Sequence, residues 1–146
     1  MLTIFVDANV FFSAVKSKSG GSSFIIELAK KKKIKITTVI HALSEAERNI
    51  QKKLDVKSLN SHYENLLFAN PIIQSLVNLP LSVEDKLRNF VPEKDVPILA
   101  GAIMSGAGFL ITLDKAHFLN NKKLLDLNLS ILITTPGDFI QNYILK

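Results

Sequence analysis

No cysteine occurs among the 146 residues. That excludes disulfide cross-links and thiolate metal centres, and it leaves oxygen and imidazole nitrogen as the ligands the chain can offer a metal. Long apolar runs are missing as well. The longest is soon broken by Asp114 and Lys115, short of the ~18 residues a membrane span needs. The opening Met-Leu-Thr-Ile-Phe-Val-Asp lacks the basic region of a secretory signal and meets an acid at Asp7, so a cytoplasmic protein without membrane attachment is the expectation. No glycine-rich turn follows the first apolar run, which removes the dinucleotide-binding fingerprint.

What is present is an ample core and an excess of positive charge. A hydrophobic content of 47% over this length suits one domain, residues 1–146. The net charge of +5 and pI near 9.5 favour polyanionic partners through long-range attraction and counterion release. The run Lys30–Lys33 reads as the solvated end of a helix, where cations suit the negative end of the dipole.

The hydrophobic pattern alternates between short β runs and helical stripes. Strands are predicted over Leu2–Val6, Ile34–Thr38, Ile72–Val77, Phe109–Leu113 and Leu129–Ile133. Helices are predicted over Phe24–Lys32, Val39–Leu54, Leu59–Phe68, Ser82–Asn89, Asp95–Ser105, Leu119–Leu127 and Pro136–Ile144. Ser22 or Ser23 is a candidate cap for the first of these, and Ser82 with Asp85 resembles a weak capping box. Pro97 falls in a first turn, where its missing N–H costs little, and Gly106 supplies a helix stop. Such alternation argues for an α/β fold: a three-layer α/β/α sandwich with a mainly parallel central sheet.

In open parallel sheets ligands bind beyond the carboxyl ends of the strands. Asp7 ends the first strand, Asp114 ends a later one, Asp95 begins a helix and Glu45 lies near the start of another. Each has an ordinary reading as a helix cap, turn residue or solvated position. Four acids from distant parts of the chain meeting at one edge are harder to explain that way. Mg²⁺ and Mn²⁺ prefer such hard oxygen ligands, and crowded carboxylates are better tolerated around a cation. A water activated by the ion can then attack phosphorus.

At this point the sequence resembles the PIN-domain nucleases. The matching segments are Val6-Asp7-Ala8-Asn9-Val10-Phe11, Leu43 to Ile50, Lys94 to Ala100, and Phe109-Leu110-Ile111-Thr112-Leu113-Asp114-Lys115, in order along nearly the whole chain. The resemblance implies a PIN-like sandwich, metal-dependent cleavage of RNA, and Mg²⁺ or Mn²⁺ as cofactor. Asp7, Glu45, Asp95 and Asp114 match the family's acidic metal positions. Asn9 and Thr112 match polar positions that support the site, and Ser13 is a further lining candidate. Glu45 aligns with the family's glutamate, whereas Glu47 shares the stripe of Leu43 and Ile50, so both stay open. His117 reads as a structural histidine beside Phe118, with approach to a phosphate as its alternative; His41 and His62 form no ligand pattern. Toxin-like members imply an RNA substrate, an antitoxin protein partner and a homodimer.

Two other readings are carried. One is a non-catalytic RNA- or protein-binding module that retains the fold, since fold does not fix function. The other is a phosphatase of the haloacid-dehalogenase kind with Asp7 as nucleophile. That family wants a second acid two residues on, where this chain has Asn9, so the proton-transfer group is missing.

Overall fold

The computed structural model describes residues 1–146. Its centre is a five-stranded, wholly parallel sheet in the order β3-β2-β1-β4-β5. The strands are β1 (Thr3–Val6), β2 (Lys35–Thr38), β3 (Ile72–Ile73), β4 (Phe109–Ile111) and β5 (Leu132–Thr134). Eight helices connect and follow them: α1 (Ala8–Lys16), α2 (Gly21–Lys30), α3 (Ile40–Lys53), α4 (Val56–Ala69), α5 (Leu81–Leu87), α6 (Val96–Ser105), α7 (Lys122–Leu125) and α8 (Pro136–Phe139). A 3₁₀ turn, Glu93–Asp95, precedes α6, and π-helical turns span Lys115–Leu119 and Ile140–Ile144.

Helix α1 packs against α2, α3 and α4, while α6 lies across β1 and β2 with α5 against it. This is the α/β/α sandwich expected from the alternating pattern. Ile4, Phe5 and Val6 of β1 and Leu110 and Ile111 of β4 are fully buried, as strands covered on both faces must be. Helix α6 reaches the sheet closely because Gly101 has no side chain. A Cβ there would drive into Val39 Cγ1 and lie 3.0 Å from Phe5 Cε2.

The strand order carries the functional geometry. From β1 the chain moves outward to β2 and β3, then crosses back so that β4 pairs with β1 on the other side. The gap beyond the carboxyl ends of β1 and β4 is therefore the topological switch point, where open α/β sheets leave a crevice. Val6 pairs with Ile111 in register, so Asp7 and Thr112 emerge side by side.

Local chemistry moved several predicted boundaries. The N-cap of α2 is Gly20, and Ser22 and Ser23 lie inside the helix instead of capping it. Pro80 precedes α5, so Ser82 is no cap; Asp85 and Glu84 pair with Arg88 instead. Asp55 accepts from Ser58 N and thereby starts α4 three residues before the predicted Leu59. Asn70, left-handed at φ 48°, closes α4 just before Pro71. Gly106, at φ 71°, stops α6 as predicted. The helix predicted over Leu119–Leu127 shrinks to Lys122–Leu125, because Asp114 and Asn121 each cap a separate turn. The strand predicted to begin at Leu129 begins at Leu132, and the one predicted over Ile72–Val77 pairs only at Ile72 and Ile73. The last helix divides into an α turn and a π turn.

Candidate metal centre

Asp7 follows β1 directly and caps α1, its Oδ1 accepting from Ala8 N at 2.7 Å. Its Oδ2 accepts from Thr112 Oγ1 at 2.8 Å and from Asn9 Nδ2 at 3.3 Å. Thr112 is wholly buried, and its hydroxyl also accepts from Asp114 N at 3.1 Å and from Asn9 Nδ2 at 3.3 Å. Asn9 Oδ1 accepts from Leu113 N at 3.0 Å. Two polar side chains thus tie the end of β1 to the segment leaving β4 and fix where Asp7 and Asp114 stand. Ser13 lies one helical turn beyond Asn9 on α1, half-buried, and no side-chain hydrogen bond joins it to these carboxylates.

Asp95 and Asp114 arrive from the other side of the crevice. Asp95 ends the 3₁₀ turn ahead of α6 and is 8% exposed, yet its side chain caps nothing. Asp114 caps the π turn, Oδ1 accepting from His117 N at 3.0 Å. That turn folds the imidazole of His117 back, so that Nδ1 sits 2.9 Å from Asp95 Oδ2 and 3.1 Å from Asp114 Oδ2. His117 is therefore no mere packing partner of Phe118. Asn121 braces this corner, its Nδ2 donating to Phe90 O at 2.7 Å and His117 O at 2.9 Å. Asn121 sits inside the helix predicted from the sequence, and the Asn120-Asn121 pair, with Asn a favoured cap, is the signal there for this role.

The charge of Glu45 acts on this group. Burial pushes the Asp7 carboxyl up to about 6; hydrogen bonds from Thr112 and Ala8 oppose this, and the charges of Glu45 and Asp95 add to it. Burial also holds Asp95 above its ordinary value. His117 and Lys94 oppose that shift, while the charges of Asp114 and Glu45 reinforce it. Glu47 instead acts on His62 and Tyr63 of α4, on the far side of α3. Between the two glutamates, Glu45 is the one whose charge acts on Asp7 and Asp95. His41 is exposed, and His62 is buried against Phe11 and Tyr63.

The crowded acids, with the Asp7 and Asp95 carboxyls pushed up by burial and Asp95 Oδ2 buried without a hydrogen-bond partner, form a donor set that suits a hard divalent cation. A neutral ligand would leave the mutual repulsion in place.

No protein-family model and no curated protein matches this chain. Among solved structures it is similar to a chain in the crystal structure of VapBC2 from Rickettsia felis bound to a DNA fragment from their promoter. The TM-score is 0.65 at 16% sequence identity, covering 92% of this chain and 98% of that chain. Identity that low speaks for the fold, which is PIN-like.

Proposed function

We propose that this protein is a divalent-metal-dependent endoribonuclease that hydrolyses RNA phosphodiester bonds. Asp7, Glu45, Asp95 and Asp114 hold Mg²⁺ or Mn²⁺, and Asn9 and Thr112 position them. Ser13 lines the same side of α1. The observation that carries the reading is the grouping of Asp95 and Asp114 at the switch-point crevice where Asp7 emerges, with the charge of Glu45 acting on Asp7 and Asp95.

When bound, the cation polarises the phosphodiester and lowers the pKa of a water. The chain's own residues do the rest. Thr112 and Asn9 hold Asp7 in one orientation, so its carboxylate is set before the substrate arrives. Exposed Lys94 and Lys115 flank Asp95 and Asp114 and attract the phosphate backbone to the crevice. Similarity to a chain in the VapBC2 structure supports a toxin-type nuclease with an antitoxin protein as partner; a homodimer in the cytoplasm is part of the same proposal. No helix is long and apolar enough to cross a membrane.

Purified protein is expected to cleave single-stranded RNA with Mn²⁺ or Mg²⁺. Removing one metal carboxylate by Asp7→Asn should lower the rate by at least about 10²-fold, the scale of losing one electrostatic stabiliser. Equal cleavage by the variant, or by wild type in EDTA, would sink the nuclease reading. Absence of any Mn²⁺-induced rise in Tm would favour the binding module instead.

A further inference from the structure

We infer that His117 is a direct nitrogen donor to the metal, converting an all-carboxylate site into a mixed N/O centre that prefers Mn²⁺ to Mg²⁺. The inference rests on the metal-site reading above and adds a ligand to it. Nδ1 of His117, one oxygen of Asp95 and one of Asp114 all lie within 4.8 Å of one another. The nitrogen's contacts to the two oxygens, 2.9 and 3.1 Å, match the edge of a coordination octahedron. Bonds of about 2.1 Å set neighbouring ligands roughly 3.0 Å apart.

Neither contact is a hydrogen bond. Both are short enough to be one, but the ring N–H is aimed at neither oxygen. Nδ1 of His117 and Oδ2 of Asp95 thus remain buried polar atoms without a hydrogen-bond partner. Buried polar atoms are almost always satisfied, and a pair left unsatisfied within 3 Å calls for a shared partner. An imidazolium bridging the two carboxylates would have turned its N–H toward one of them. A lone pair on Nδ1, converging with two carboxylate lone pairs on one point, is what an ion requires. Imidazole raises affinity for transition ions over Mg²⁺, which keeps to oxygen and water.

The chain has three histidines, of which His41 is exposed and His62 lies buried against α1. Electron spin echo modulation of bound Mn²⁺ therefore tests the proposal directly. Wild type is expected to show ¹⁴N coupling of a ligated imidazole. His117→Ala should lose the coupling and bind Mn²⁺ at least about ten-fold more weakly, the lower range for loss of groups supporting a metal. His117→Asp, should the alanine variant unfold, is expected to keep an ion, lose the ¹⁴N signal and gain in Mg²⁺ over Mn²⁺. Mn²⁺ bound without ¹⁴N coupling, and released by Asp95→Asn, would overturn the histidine ligand while leaving the carboxylate site standing. No Mn²⁺ bound by wild type at millimolar concentration would overturn both.

Discussion

Asp7 is 5% exposed and ionises near pH 6 in the fold, against 3.8 for an ordinary aspartate. Between those values the unfolded chain releases its proton first, so the fold loses stability as pH rises through that window. The sign is opposite to that of a salt-bridged aspartate, whose depressed pKa makes stability fall on acidification. Metal-free Asp7→Asn is therefore expected to unfold with a free energy higher than wild type by on the order of 2 kcal/mol at pH 7.5. Near pH 4 the advantage should vanish. Urea unfolding at the two pH values checks this, and a variant no more stable at pH 7.5 would refute it. Thr112→Val removes a hydroxyl that serves Asp7, Asn9 and Asp114 together. It should destabilise by about 1–3 kcal/mol, and the Asp7 pKa, read by carboxyl NMR, should rise above about 6. Asp7, Asp95 and Asp114 were legible in the sequence because each stands where an apolar run or a helix begins or ends. Glu45 and Glu47 were not separable, since two residues on one helix differ only in which way α3 turns. The contact of His117 with Asp95 was not legible, because that partner lies 22 positions away and a π turn brings them together.

Elements depend on this crevice through the seating of α6, which carries Asp95 at its start. Gly101 lets α6 approach Val39 and Phe5. Alanine would gain about 1 kcal/mol of helix propensity but force apart a packed face, which typically costs about 1–3 kcal/mol. Gly101→Ala is expected to be net destabilising and, by lifting α6, to weaken Mn²⁺ binding as well. A variant that gains stability, measured by thermal melting, would mean that the sheet yields there at no cost. The type of most elements was readable, because α6 and β4 carry strong periodic or buried patterns, but helix α1, which carries Asn9 and Ser13, was not predicted. Their ends were less so. Caps such as Gly20, Asp55 and Asn121 are chosen by where the chain must turn in three dimensions, and a serine near a helix start is no guarantee of use.

For the whole molecule, a net positive charge accompanies a local cluster of acids. On the proposed function, the net charge of +5 would attract RNA, while the clustered carboxylates would repel a phosphate brought up to them. A divalent cation reconciles the two, so RNA binding by a cleavage-deficient variant should itself depend on metal. Glu45→Gln keeps the other three acids and suits this measurement. Its affinity for single-stranded RNA is expected to rise on adding Mn²⁺ and to fall with salt, each phosphate contact contributing about 0.7 to the log–log slope. Lys94 and Lys115 are exposed and adjoin Asp95 and Asp114 in the chain. Replacing both with alanine should flatten that slope by about 1.4 if each meets one phosphate. A slope unchanged in the double variant would move the RNA path away from this edge of the sheet. A salt-independent, metal-independent affinity would separate binding from the acid cluster altogether, since neither the cation nor the flanking lysines would then have any part in holding the strand.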